Sequence, residues 1–426
     1  MKKTILLSFF LLSIGFKNIN AQTNCEVKFG VACYGSSENI FSKVDVPPSF
    51  YRGTRGLAIN VNYTGFTAPA QAAFDYSKQI WESILNGTQT IKINVYFLAL
   101  GSGGLLGITF PNGRKNFSGA LVSDVWYPTS LANQLAGTEL NVGESDFDMY
   151  LNSSANWYFG TDGICPTGKY DFASVALHEM CHGFGLVGLS KIDTAGLGSF
   201  GLLTLADFAP AFTSFPWPEL DTLPGIFDHY LMTSNGALIS QGAFQNPSDT
   251  LATIFKSNQI YWSGIYGLQF NNNIEPKIYA PPTFSLGSSM VHLDEATYPN
   301  GNENELMTPF ATAHSSNHNP GPIAIAILKD IGWNVDPNYN DVNNIQNSNS
   351  EFQIYPNPVT DEFRVSGSEF RLGNSISISD LAGRILLQQN ISEQENKIDV
   401  SNFTSGIYFV ELKTESGNSI LKFVKE

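Results

Sequence analysis

The stretch Tyr170-Asp171-Phe172-Ala173-Ser174-Val175-Ala176-Leu177-His178-Glu179-Met180-Cys181-His182-Gly183-Phe184-Gly185 carries the strongest local signal in the chain. Phe172, Val175 and Ala176 share one helical stripe, and Glu179 and His182 continue the same side, so residues 170–184 are expected to form an amphipathic helix. Gly183 and Gly185 make termination easy immediately after the polar residues. Two imidazoles four residues apart stand one turn apart and face one metal ion, while Glu179 beside them reaches a metal-bound water. The plain alternatives are a histidine pair with no ligand and a salt-bridged structural glutamate.

On the N-terminal side, Ala73, Phe74, Ile80, Trp81 and Ile84 have helical spacing from Ala68 until Asn86-Gly87, and Ile91 to Phe97 alternates as a strand. Glycines and polar residues between 101 and 119 suggest an irregular loop over an edge, and Asp148 to Asn152 a short strand bordering a cleft. On the C-terminal side, residues 186–290 are rich in Gly, Pro, Phe and Leu, with helix candidates over Phe227–Met232 and Leu251–Ser257. Pro320 to Ile331 reads as a further helix, opened by Pro320 and Pro322 and closed by Gly332.

A catalytic zinc takes three protein ligands and leaves one position to water. The residue six places after His182 is Gly188, so the third donor comes from elsewhere. The run from His178 to Gly185 resembles the metzincin peptidase signature, with Gly185 at its glycine turn. The departure at Gly188 is similar to leishmanolysin-like peptidases, in which a long insertion precedes the third ligand. That resemblance implies His292, in Val291-His292-Leu293-Asp294, as third zinc ligand, and Met307, in Asn304-Glu305-Leu306-Met307-Thr308-Pro309, as the apolar turn beneath the site. His229, His314 and His318 are the competing donors, and an ordinary core methionine is the other reading of Met307. The resemblance covers about residues 60–333. It implies an α/β (α+β) zincin-like domain, with a mixed sheet over two long helices and peptide lying antiparallel along a sheet edge near Asp148–Asn152.

The outer parts of the chain set its location. Lys2, Lys3, the apolar run Thr4–Phe16 and Ala21 before Gln22 read as a signal peptide over 1–21. Residues 22–55 look like a lead-in or propeptide-like segment, 56–333 the peptidase domain, and the Asn-rich 334–350 a linker. From 351, short strands and turns indicate a small all-β sandwich, immunoglobulin-like in pattern. Its Tyr355-Pro356-Asn357-Pro358, Asp380-Leu381-Ala382-Gly383-Arg384, Ser405-Gly406-Ile407-Tyr408 and Lys422-Phe423-Val424-Lys425 resemble a type A sorting domain of the type IX secretion system of Bacteroidota. The type IX machinery is therefore an expected partner, and the destination is secreted or outer-surface.

The 426 residues carry a net charge of -15 without a basic block, which argues against nucleic acid. Beyond the leader, no run of eighteen apolar residues offers a transmembrane segment. The four cysteines, Cys25, Cys33, Cys165 and Cys181, favour pairs 25–33 and 165–181 by loop length. Cys25 or Cys33 is also a conceivable sulfur cap on the zinc. No G-x-S-x-G elbow and no phosphate loop is present. The chain is therefore expected to be a secreted zinc endopeptidase with Glu179 as general base and His178, His182 and His292 on Zn2+. The alternative is an exported adhesion or binding protein with a structural zinc site.

Overall fold

Six stretches of extended chain assemble into one mixed sheet: β1 (Val31–Val44), β2 (Ile59–Thr64), β3 (Ile91–Leu98), β4 (Leu105–Pro111), β5 (Phe147–Asn152) and β6 (Phe310–Asn317). The spatial order is β6-β1-β4-β5-β3-β2. β1 runs antiparallel to β4 and parallel to β6, and β5 antiparallel to β4 and parallel to β3. The computed structural model describes residues 31–53, 55–101, 104–203, 207, 221–339, 353–356, 358–366, 374–380, 384–391, 395–414 and 417–425. The signal peptide 1–21, Cys25 and residues 340–350 of the linker lie outside them.

Two helices pack on the sheet, α1 (Ala68–Ile84) and α2 (Phe172–Phe184), and α3 (Pro322–Ile331) contributes to the same hydrophobic core. α1 forms where its spacing predicts. Thr67 caps it by accepting from the Ala70 amide, Pro69 stands in its first turn, and Ala73, Phe74, Ile80, Trp81 and Ile84 are buried. Its Trp81 is fully buried, donates from Nε1 to the Leu177 carbonyl of α2 at 3.0 Å, and meets Phe184 edge-on. Trp81→Ala is therefore expected to cost about 3–5 kcal/mol through the cavity it leaves. Trp81→Phe, which keeps a ring and gives up one hydrogen bond to a carbonyl inside the helix, should cost less, about 0.5–1.5 kcal/mol for that bond. Denaturant midpoints of the two variants check the ordering.

Several sequence expectations are corrected. Residues 31–44, within the segment read as a lead-in or propeptide-like stretch, form β1, a strand that pairs with β4 and with β6. The stretch 101–119 contains β4, whose seven residues are all buried, so burial on both faces removes the alternation that marks a half-exposed strand. β5 has partners on both sides, so Phe147–Asn152 offers no free edge to a peptide. α2 is enclosed instead of amphipathic, with every residue but Ser174 buried. Residues 227–232 divide into a short helix, Ile226–His229, and a strand, Leu231–Thr233. The linker starts later than expected, because Asn334–Val335 pairs with Leu85–Asn86 and Tyr339 is buried. Cys33, Cys165 and Cys181 are free buried thiols, so the 165–181 bridge is absent.

The C-terminal unit comprises β7 (Gln353–Tyr355), β8 (Glu362–Ser366), β9 (Asn374–Ser379), β10 (Ile385–Ile391), β11 (Glu395–Asp399), β12 (Gly406–Thr414) and β13 (Gly417–Lys425). Two antiparallel sheets, β7-β8-β11 and β10-β9-β12-β13, enclose a core containing Phe363, Ile376, Ile378, Ile398, Val410 and Phe423. β11 was not anticipated, since only Ile398 of Glu395–Asp399 is strongly apolar.

Candidate metal centre

α2 begins at Asp171, whose Oδ1 accepts from the Ser174 amide at 2.8 Å. At its other end Gly185 adopts φ 142°, and a Cβ there would lie 2.4 Å from Ile331 Cδ1. The exposed carbonyls of the last turns are satisfied from outside: Ser130 Oγ donates to Gly183 and Trp333 Nε1 to Phe184, both at 2.7 Å. This anchoring fixes the helix face that carries His178 and His182.

His178, His182 and His292 converge, all buried, although 110 residues separate the last two in sequence. Their Nε2 atoms are 2.9 Å (178–182), 3.1 Å (182–292) and 3.3 Å (178–292) apart. Each Nδ1 meets a backbone carbonyl: His178 at Leu306 (2.5 Å), His182 at Leu186 (2.6 Å) and His292 at Ser288 (2.8 Å). Those carbonyls require the proton on Nδ1, which assigns the tautomer and leaves a lone pair on every Nε2. The three Nε2 contacts are consequently not hydrogen bonds. They are three lone pairs aimed at one point, which only a cation makes favourable. Burial pushes the His178 imidazole down to about 4, and holds His182 and His292 well below the ordinary range, so the rings are neutral donors.

The donor set fits zinc. Two nitrogens about 2.0–2.1 Å from a tetrahedral zinc stand about 3.3–3.4 Å apart, close to the separations found. Carbonyl-anchored ring N–H groups are the outer-shell arrangement that orients metal-binding histidines.

Glu179 is fully buried beside the triad. Its Oε2 accepts from Thr109 Oγ1 at 2.6 Å, and its Oε1 from the Cys33 amide at 3.3 Å. Burial raises its pKa to about 8, against the opposing pull of the Thr109 and Cys33 hydrogen bonds. Gly107 of β4 makes room for it, since a Cβ there would come within 2.7 Å of Oε1. Thr109 and Gly107 were missed in the sequence because their strand reads as a glycine-rich loop.

Met307 is buried in the turn whose Leu306 carbonyl holds His178. The Met307 carbonyl also accepts from the Leu293 amide at 2.8 Å, tying this turn to the residue after His292. Gly188 has no space for a side chain: a Cβ there would meet Asp228 Oδ1 at 2.4 Å. Asp228 is held there by accepting from the Leu189 and Gly225 amides.

The competing histidines stand outside the cluster. His229 contacts Gln241, His314 contacts Thr167, and His318 lies between Asp171 and Tyr76. Among the described residues the metal-capable group holds three histidines and no cysteine, so Cys33 reaches the site through its amide instead of its sulfur.

Residues 353–426 match the family described as a secretion system C-terminal sorting domain. This makes the C-terminal unit a type IX secretion sorting domain, and the chain a secreted protein destined for outer-surface attachment through that machinery. Among the described residues, no helix is long and apolar enough to cross a membrane. No curated protein matches the chain. Among solved structures, PorZ, described as a surface component of the type IX secretion system of Porphyromonas gingivalis, is 24% identical with a TM-score of 0.16. The match covers 19% of this chain and 12% of PorZ. A DUF3244 family protein with an immunoglobulin-like β-sandwich from Bacteroides vulgatus is 18% identical with a TM-score of 0.17, over 18% of this chain and 88% of its own.

Proposed function

We propose that the mixed α/β unit is a zincin-like zinc-dependent endopeptidase, exported and then cut loose or anchored through the sorting domain. The observation that carries this reading is the convergence of three neutral Nε2 lone pairs with a buried carboxylate on the same helix. Three protein donors favour catalysis over a structural zinc site, which is closed by four. His178, His182 and His292 would hold the metal, which when bound polarises a carbonyl and acidifies its water. Thr109 fixes Glu179 Oε2, and Oε1, which here accepts from the Cys33 amide, would be the atom that takes the proton of the attacking water and returns it to the departing amine. The test is zinc stoichiometry alongside hydrolysis of a varied peptide library. One bound zinc and cleavage abolished by chelation are expected; cleavage indifferent to chelation defeats the mechanism.

Oε1 accepts from the Cys33 amide of β1, so this strand stands where a substrate backbone would engage the base. Ser37 to Phe41 are exposed. A specific protease site placed there should let the Val31–Ser36 stretch dissociate once nicked, because tethering alone supplies an effective concentration on the order of millimolar. Peptide cleavage is expected to rise roughly 10-fold or more on nicking. Equal rates before and after would show that β1 is a permanent part of the sheet.

A further inference from the structure

Beside His178 lies a cavity whose apolar lining comes from Val175 of α2 and from Leu306, Phe310 and Ala311. Cys33 of β1 also lines it, as do Glu295 and Glu305. No lysine or arginine lines it. Asp171, the third acidic residue on its wall, is already bonded to Ser174, His318 and Ser316. Glu305 accepts from the Gly301 amide and, at 3.4 Å, from Asn317. Glu295 draws hydrogen bonds from the Thr308 side chain and the Phe310 backbone, but its Oε2 is shut off from solvent and has no hydrogen-bond partner. Lys277 pairs with the neighbouring Asp294 at 3.3 Å.

β1 shows which part of a bound peptide would look into this space. Cys33 pairs with Gly107 of β4, and its amide is the group on Glu179. Cys33 lines the cavity together with Glu295 and Glu305, so the side chain at this register position shares the space with both carboxylates. A peptide taking the place of β1 therefore presents one side chain to the cavity, next to the reacting bond.

We infer that this cavity is the specificity pocket of the proposed peptidase and takes a lysine or arginine side chain, recognised by Glu295 with Glu305. The apolar walls suit the methylene stem, and the unpartnered carboxylate oxygen suits the cationic head. Burial raises the pKa of both acids, Glu305 to about 7, and an incoming cation would return them to the charged form. The inference rests on the peptidase reading, so its test needs a readout that does not depend on hydrolysis.

Position 33 supplies that readout in the full-length protein. Cys33→Lys should unfold about 2–4 °C above Cys33→Met, both being long enough to enter the cavity, and the difference should vanish in a Glu295→Gln background. Glu295→Gln alone suffices, since it leaves the bonds of Glu305 to Gly301 and Asn317 in place. In the second arm, nicked protein is given peptides identical except for Lys, Arg, norleucine or Glu at one position. A kcat/KM at least ~10-fold higher for Lys and Arg than for norleucine, lost in Glu295→Gln, is expected. Equal unfolding temperatures for the two position-33 variants, or norleucine cleaved as well as lysine, overturns the pocket assignment. Absence of all hydrolysis, together with a stabilised Cys33→Lys that depends on Glu295, overturns the peptidase reading and leaves a pocket for basic side chains. Calcium bound stoichiometrically by wild type and lost in Glu295→Gln, without a preference for basic residues, overturns the inference in favour of a metal site.

Discussion

Glu179→Gln is expected to bind one zinc with unchanged affinity while kcat/KM for peptide cleavage falls roughly 10²–10⁴-fold, the usual contribution of a positioned general base. The isosteric amide can still accept from Thr109 through its oxygen, and none of the three imidazoles touches the substituted group. It loses the ability to take a proton from water. Stability should change little, because the lost hydrogen bond from the Cys33 amide is offset by removal of the desolvation penalty that an enclosed carboxylate carries and an amide lacks. Metal content by emission spectrometry, steady-state kinetics and thermal unfolding of the same sample separate these effects. Retention of full activity would remove Glu179 from the reaction, and loss of zinc would recast it as part of the metal's surroundings.

How much of this was legible depends on where the controlling groups reside. The positions of His178, Glu179 and His182 follow from helical spacing, α1 and β3 from periodicity, because each buries one regular set of side chains, and α3 from the prolines that open it and the glycine that closes it. β4 and β1 were lost for opposite reasons. β4 is buried on both faces and carries Gly107, so it shows no alternation, whereas β1 runs from a buried start at Val31–Cys33 to an exposed stretch after Ser36 and breaks register twice against β6. The groups that aim the imidazoles are backbone carbonyls of Ser288, Leu186 and Leu306, whose position no residue type encodes. Gly188 could be read as incapable of ligation, but the steric reason, Asp228 pressed against it, arises from a contact across 40 residues. The disulfide expectation failed because loop length says nothing about where the thiols face: Cys181 lies in the hydrophobic core, and Cys165 donates to the Lys169 carbonyl.

His292→Ala should weaken zinc binding by more than ~100-fold, beyond the range typical of losing an outer-shell partner, and abolish most hydrolysis. Two helix histidines then remain, and the nearest backbone alternative, Gly188, has neither a side chain nor room for one. The surrounding chain should hold its shape, since its anchors are main-chain bonds the substitution leaves alone: the Tyr279 amide to the His292 carbonyl at 2.8 Å, and Leu293 to the Met307 carbonyl at 2.8 Å. The informative comparison is with His229→Ala, His314→Ala and His318→Ala, measured by competitive zinc titration with circular dichroism on each. His229 and His314 variants should titrate like wild type. His318→Ala should lose stability instead of zinc, because it removes the partner of the helix-capping Asp171 and of Tyr76. Wild-type affinity in His292→Ala, with affinity lost in a folded His229→Ala, would move the third ligand into the insertion. It would also leave the lone pair of His292, aimed at the other two across 3.1 and 3.3 Å, without a physical cause.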